Sequence, residues 1–296
     1  MASVIPLLVI VGPTASGKSS LALNIAQSYG GELIAADSRT VYTGVDIGTA
    51  KPSRKEQLKV PHHLIDVVEP NEPFTLWDFQ QQAKAAIIDI RSRDKLPILV
   101  GGTGLYVDSI IFDYELGEVA NPEKRALLEQ ETVETLQSML KKQQIELPKN
   151  DKNKRHLIRA LEQGKINTTR RKELIDHCIV VGIATDKIVL DKHIRARIKT
   201  MLDNGVVDEA RKVAEKYGWD NEALSGNIYR LARAIIEDGL PLETAVEKGV
   251  VLDRRLAKRQ RTWFKRNPAI VWNNKEDLRS YIVNELHRAG ISSVLR

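Results

Sequence analysis

LLVIVGPTASGKSSLALNIAQSY, residues 7–29, holds three elements in one run. Leu7–Val11 is continuously apolar, as expected of a strand buried on both faces of a parallel sheet. Gly12-Pro13-Thr14-Ala15-Ser16-Gly17-Lys18-Ser19 follows, with glycines at the first and sixth places and Lys-Ser after the second. Lys18–Ser28 then places Leu21, Leu23, Ile25 and Ala26 at helical spacing and stops at Gly30-Gly31. Strand, glycine loop and helix in this order make a phosphate-gripping loop. Glycines turn backbone N–H groups inward, Lys18 adds a cation, the helix adds its positive end, and the Ser19 hydroxyl can hold Mg²⁺. Whether the phosphate belongs to ATP is not written in the loop.

Outward from this unit the pattern repeats. Glu32–Ala36 reads as a second strand ending at Asp37, His63–Val68 as a third, and Pro97–Val100 as a fourth that runs into Gly101-Gly102-Thr103-Gly104. Thr75-Leu76-Trp77-Asp78 is a capping box for a helix reaching about Arg93. Strands alternating with helices specify an α/β fold, a P-loop NTPase-like core with a parallel sheet flanked by helices. Residues 118–175 show no strand pattern and read as a helical insertion domain. HCIVVGIA (177–184) restores the strand pattern, and the remainder is helical apart from a short strand at Ala269–Trp272. The core is therefore 1–117 with 176–296.

The chain has 296 residues, enough for one large core and a smaller appendage. With 28% charged residues and no apolar run of 18 or more, no membrane span is expected. MASVIPLLVIVG lacks a basic leader and reads as the first strand, not a signal peptide. Cys178 is the only cysteine, which rules out an intrachain disulfide and fits a reducing cytoplasm. The formal charge of +6 is uneven. Between Lys141 and Lys172, eleven Lys or Arg face three acids, a net +8 that leaves about −2 for everything else. Such a stretch suits a polyanion such as nucleic acid; the alternative is a solvated helical hairpin.

Asp37 ends its strand at the carboxyl edge of the sheet, where ligands bind. It can hold metal, act as a base, or cap the next turn with Ser38. Gly101–Gly104 stands where many nucleotide hydrolases carry a metal-binding aspartate; either its glycines let a flat ligand approach the backbone or they form a plain turn. Arg197 falls on the apolar stripe of Leu190, Ile194 and Met201, so it needs an anion: a diphosphate, or Asp37 or Glu32. LAKRQRTWFKR (256–266) reads either as a nucleic-acid contact or as an amphipathic helix packing Trp263 and Phe264 inward. His62-His63 has no matching ligand cluster.

These stretches together resemble the tRNA dimethylallyltransferases, also called tRNA isopentenyltransferases, from about Leu7 to Trp272. The matches are GPTASGKS (12–19), ADSRTVYTGVDIGTAKP (36–52), PHHLIDV (61–67), PILVGGTGLY (97–106), IRALE (158–162) and LAKRQRTWF (256–264). The resemblance implies transfer of a dimethylallyl group from dimethylallyl diphosphate to the exocyclic amine of the adenosine 3′ of a tRNA anticodon. Gly12, Pro13, Thr14, Ala15, Ser16, Gly17, Lys18 and Ser19 would grip the leaving diphosphate with Mg²⁺ on Ser19. Asp37 matches the family's base and Arg197 its diphosphate arginine, with Lys18 as the third catalytic group. Ser38, Arg39 and Thr40 match the adenosine pocket, Thr103 the nucleoside contact, and Arg125 a tRNA contact. Arg155, His156 and Arg159 match the part that embraces the anticodon stem-loop. The target base must leave its stack to reach the donor. Thr40 stands where the family usually has Gln, Asn227-Ile228-Tyr229-Arg230 lacks a glycine found there, and Asn150-Asp151 lies two residues upstream of its usual place. The zinc-binding tail of eukaryotic members is absent, which implies a bacterial type. A cytoplasmic monomer is expected. The rival readings are an isopentenyltransferase acting on free adenine nucleotides, a P-loop small-molecule kinase, and a non-catalytic tRNA-binding protein.

Overall fold

The computed structural model describes residues 4–117, 121–164, 171 and 173–294. The chain divides into two compact units, Met1–Ile111 with Leu174–Arg296, and Phe112–Glu173.

In the first unit, β1 (Leu7–Val11) leads through the glycine loop into α1 (Lys18–Tyr29) and β2 (Glu32–Ala36). Two short helices follow, α2 (Asp46–Thr49) and α3 (Arg54–Lys59), then β3 (His62–His63), α4 (Leu76–Ser92), β4 (Pro97–Gly101) and α5 (Gly104–Ile111). The second unit carries α6 (Pro122–Gln130), α7 (Val133–Lys142) and α8 (Lys154–Gln163). The first unit resumes with β5 (Cys178–Ile183), α9 (Lys187–Asp203), α10 (Val206–Tyr217), α11 (Asn227–Asp238), α12 (Leu242–Phe264), β6 (Val271–Asn273) and α13 (Lys275–Arg288).

The six strands form one parallel sheet in the order β3-β2-β4-β1-β5-β6. β1 is central, with Leu8 opposite Ile98 and Ile179, and all five of its residues are buried. Leu8, Ile10 and Ile98 join Leu21 and Ile25 of α1 and Leu278, Ile282 and Leu286 of α13 in one core. A second cluster joins Leu190, Ile194, Ile198 and Met201 of α9 to Val206 and Ala210 of α10, Leu231 and Ala232 of α11, and Val246 and Val250 of α12. Gly30 ends α1 at φ 63°, a left-handed cap that glycine adopts without the Cβ penalty. The Thr75 hydroxyl accepts from Asp78 N while Asp78 Oδ2 accepts from Thr75 N at 2.8 Å, closing the capping box of α4.

The third strand differs from the sequence reading. Only His62–His63 pairs with Leu33–Ile34, and His63–Val68 does not run on as a strand. Leu64 and Asp66 take φ of 62° and 54°, which breaks the pleat, and Val68 returns as an isolated bridge to Tyr42. The turn carries Asp66 to the Lys51 ammonium at 2.5 Å. Lys51, with a side chain 3% exposed, also donates to Asp46 Oδ1 and Tyr42 O. A buried ammonium is costly without such acceptors.

The second unit has its own small core of Leu128, Leu136, Leu140, Leu157, Ile158 and Leu161. Among the described residues of the chain, no helix is long and apolar enough to cross a membrane.

Candidate active site

Four loops leave the carboxyl ends of β1, β2, β4 and β5 on the same edge of the sheet, as parallel strands require. The first is the glycine loop. Gly17 at φ 86° caps α1, and Ala15 is held left-handed at φ 62°. His193 of α9 donates from Nδ1 to Ala15 O at 3.2 Å. Lys18 Nζ donates to Pro13 O at 3.3 Å. Burial around the ammonium, then the Arg197 guanidinium, pushes Lys18 down to about 8, and the Asp37 carboxylate opposes them. The three groups singled out as catalytic thus lie within electrostatic reach of one another. The physical state is two cations and one anion in a poorly solvated corner, which favours an added anion.

Arg197 donates from Nη1 to the Thr14 hydroxyl, while its buried Nε has no hydrogen-bond partner. Glu32, offered by the sequence as a structural partner, is committed elsewhere. It accepts from Arg93, from Lys95 at 2.9 Å and from His63 Nε2 at 2.8 Å, and these hold its carboxyl well below the usual carboxylate range. His62 Nδ1 lies 2.7 Å from Val60 O, so both histidines of the pair serve the fold.

Asp37 Oδ1 accepts from Arg39 N at 2.9 Å, so one carboxylate oxygen does cap the following turn. Ser38 N donates to Thr103 Oγ1 at 3.1 Å and Thr103 N to Ala36 O at 3.2 Å, tying the β2 and β4 loops together. Thr40 lies beneath this turn, 7% exposed, with its hydroxyl on Asp37 O at 3.3 Å. Arg39 reaches outward to Glu222 at 2.9 Å.

The expectation that the glycines after β4 admit a flat ligand is corrected by what lies against them. A Cβ on Gly101 would fall 2.0 Å from Ala36 O; one on Gly102, 2.4 Å from Gln260 Nε2; and one on Gly104, 2.3 Å from Trp263 Cδ1. The chain itself fills the space that glycine leaves. LAKRQRTWFKR accordingly packs inward: Ala257 and Phe264 are 2% and 1% exposed, and Trp263 Nε1 donates to Asp108 Oδ2 at 2.8 Å. Gln260 accepts from Thr14 N at 2.8 Å and donates to Gly102 O at 3.1 Å, bridging the first and third loops.

Two polar residues shape the site without having been singled out. Gln260 shares a helical face with Ala257 and Phe264, at spacings of three and four. Glu209 shares one with Val206, Ala210 and Val213. A polar side chain on an apolar stripe is the signal that marked Arg197, and it marks these equally. Glu209 accepts from Asp46 N, Ile47 N and Gly48 N at 2.7, 2.8 and 2.9 Å, and from the Tyr229 hydroxyl at 2.7 Å. Its charge sits on the positive end of α2. Gly48 lies against the Tyr229 ring, where a Cβ would come within 2.3 Å. Burial first, then the Glu209 charge, pushes the Tyr229 hydroxyl well above its ordinary range.

Thr14, Lys18, Asp37, Ser38, Arg39, Thr103 and Arg197 all line one cavity of about 340 Å³, together with Arg230, Asp253, Arg259 and Gln260 and the apolar Ile198, Met201, Ile228, Leu231 and Leu256. Its lining thus combines charged groups with apolar side chains. Among the described residues no three His, Cys, Asp or Glu side chains group to hold a metal ion.

Of the glycine loop only Thr14 and Lys18 line this cavity, and Thr40 does not; Arg125, Arg155, His156 and Arg159 belong to the second unit. Arg125 grips Glu162 with two hydrogen bonds, of 2.9 and 3.0 Å, and Arg159 adds a third contact at 3.3 Å. Arg155 and His156 are exposed on α8, opposite its buried Leu157, Ile158 and Leu161. Lys165, Arg170 and Lys172 of the basic stretch lie outside the described residues.

The profile of the family described as IPP transferase matches residues 40–267, and that described as Isopentenyl transferase matches residues 5–66. The tRNA dimethylallyltransferase of Streptococcus agalactiae is 42% identical, over 88% of this chain and 89% of that protein. Its counterpart from Bacillus velezensis is 35% identical over 91% and 90%. The crystal structure of the tRNA isopentenylpyrophosphate transferase from Bacillus halodurans aligns with a TM-score of 0.72 at 34% identity, covering 96% of this chain and 98% of that one. A eukaryotic dimethylallyltransferase acting on tRNA shares the fold, with a TM-score of 0.74 at 23% identity. A profile match across three quarters of the sequence, with relatives aligned nearly end to end, places this chain in the tRNA dimethylallyltransferase (IPP transferase) family.

Proposed function

We infer that the protein is a tRNA dimethylallyltransferase. It transfers the dimethylallyl group of dimethylallyl diphosphate to the exocyclic amine of the adenosine 3′ of the anticodon, and it works in the cytoplasm, where tRNA is modified. The observation that carries the reading is the mixed lining of one cavity, which holds Lys18, Arg197 and Asp37 together with the apolar Ile198, Met201 and Leu231. An allylic diphosphate needs both, being an anion joined to a short apolar chain.

The amine nitrogen attacks C1 of the chain, the C1–O bond breaks, and diphosphate leaves with the bonding pair. The charge that develops on the departing oxygen is met by Lys18 and Arg197, which are already positioned and poorly hydrated, so little reorganisation is needed. The orphaned Arg197 Nε supports this role, since a buried guanidinium N–H without an acceptor is costly unless a ligand supplies one. An aromatic amine is a weak nucleophile until it loses its proton. Asp37 keeps one oxygen on Arg39 N and offers the other to that proton. Packing of Gln260 and Trp263 onto Gly102 and Gly104 supports the transfer reading over a kinase, because the place of the hydrolases' metal-binding aspartate is filled.

The residues also suit Mg²⁺. The cation binds through one or two protein oxygens plus substrate phosphates and water, so a cluster of carboxylates is not needed. Ser19 is exposed on the first turn of α1, and Ser16 Oγ is a buried oxygen of the same loop without a partner. Bound there, Mg²⁺ would offset charge on the leaving diphosphate. In the second unit, exposed Arg155 and His156 would meet the phosphates of the anticodon stem-loop. Arg125 holds α6 to α8 through Glu162, which Arg159 also contacts from within α8.

The test uses purified protein, Mg²⁺ and labelled dimethylallyl diphosphate with either an unmodified tRNA reading U-starting codons or free AMP. Label on tRNA alone is expected. Label on AMP selects the free-nucleotide enzyme, and label on neither with ATP consumed overturns the reading.

A further inference from the structure

The cavity holding Lys18, Asp37 and Arg197 adjoins a second one of about 460 Å³, whose lining mixes Ile47, Ala50 and Pro52 with the charged Asp46, Lys51, Arg54 and Asp66. Only Arg197 and Met201 line both. They lie one turn apart on the same face of α9, so their side chains are the wall between the two spaces. Arg197 is committed to the Thr14 hydroxyl. Met201, 6% exposed, is the apolar half of the wall.

The cavity is closed differently beside Ile198 and Leu231. Ile198 and Leu231 are 2% and 5% exposed, and a Cβ on Gly249 would lie 2.9 Å from Ile198 Cδ1 and 3.0 Å from Leu231 Cδ1. Helices α9, α11 and α12 meet there without slack, and a longer ligand cannot extend that way unless backbone moves. At Met201 the barrier is a single unbranched, flexible side chain.

We propose that Met201 sets the length of the prenyl donor: its side chain seals the wall behind a five-carbon chain, and its removal lets the second isoprene unit of a ten-carbon allylic diphosphate pass into the neighbouring cavity. This rests on the transfer reaction inferred above. With either donor the amine nitrogen bonds to C1, the C1–O bond breaks, diphosphate leaves with the electron pair, and the amine proton passes to Asp37. Only the chain that must be housed differs.

The experiment compares kcat/KM for geranyl diphosphate and dimethylallyl diphosphate on unmodified tRNA, with mass analysis of the modified base. Taking the ratio within one enzyme cancels any general loss of stability. Wild type is expected to disfavour the longer donor by about 100-fold or more, and Met201→Ala to raise the ratio at least ~10-fold, the scale on which hydrophobic pockets discriminate added carbons. Met201→Leu keeps the wall and should stay within roughly threefold of wild type. If Met201→Ala does not fold, Met201→Val replaces it and should raise the ratio in the same direction. A wild type that accepts both donors equally overturns the proposal. So does an unchanged ratio in Met201→Ala or Met201→Val while five-carbon transfer continues, and that result leaves the transfer reaction standing. Absence of transfer from either donor by wild type removes the reaction and the proposal together.

Discussion

Glu209→Ala removes one acceptor from four donors: Asp46 N, Ile47 N, Gly48 N and the Tyr229 hydroxyl. Hydrogen bonds to a charged group are worth ~1.5–3 kcal/mol each, but they do not add. Water reaches the α2 end, since Asp46 is exposed, and recovers part of the amide loss. It does not reach Tyr229, which is 1% exposed. A buried hydroxyl left unpaired costs ~1–3 kcal/mol, and the lost charge at the α2 end adds ~0.3–1 kcal/mol. The sum is about 1.3–4 kcal/mol, read as a lowered urea midpoint at unchanged m-value. Tyr229→Phe alone should cost about 1 kcal/mol. In the Glu209→Ala background it should cost almost nothing, because the hydroxyl has already lost its acceptor. A coupling of about 1 kcal/mol or more is therefore expected from the double-mutant cycle. Gly48 and Thr49 line the cavity, so Glu209→Ala should also raise the donor KM. Additive effects of the two substitutions would refute the reasoning, since Glu209 and Tyr229 would then not share a bond that matters.

Lys18 provides a pH signature. Its ordinary value is 10.5, and in the fold it is pushed down to about 8, so the charged form is disfavoured below about 8 and that penalty fades as pH rises toward 10.5. Diphosphate reverses the preference. Its affinity should be greatest below about pH 8 and fall above it by up to ~10-fold per unit, with proton uptake in calorimetry; affinity flat from pH 7 to 9.5 removes Lys18 from the anion site. Asp37→Asn keeps the cap on Arg39 N but cannot take a proton, so kcat should fall ~10²–10⁴-fold with tRNA affinity nearly unchanged; a kcat within a few-fold of wild type would show that the proton goes elsewhere. Arg155→Ala should reduce the salt dependence of tRNA binding by on the order of one phosphate contact, and an unmoved slope would place α8 away from the RNA.

Much of this protein was legible because its signals are local. Gly12–Ser19 needs only glycine spacing and the flanking strand and helix, so β1, the loop and α1 follow from one run of residues. The capping box at Thr75 closes over three residues. Arg197 was marked by helical periodicity, since a charge on an apolar stripe requires an anion wherever the partner lies. The motif set pointed to the family for the same reason, each motif being a short contiguous run of residues.

What the sequence did not contain is which distant groups meet. Helix α2 spans four residues and is held by Glu209, between 161 and 163 positions away. Gly101, Gly102 and Gly104 accommodate Ala36, Gln260 and Trp263, not a ligand, and the sole cue was that something must come close. His63–Val68 has the composition of a strand, yet Lys51 draws Asp66 out of the pleat. The partition of the cavities by Arg197 and Met201 arises from the packing of α9 against two separate segments. Local spacing specifies which residue faces inward. The partner it finds there depends on long-range packing, whose energy is shared among residues far apart in the chain, and no local pattern encodes it.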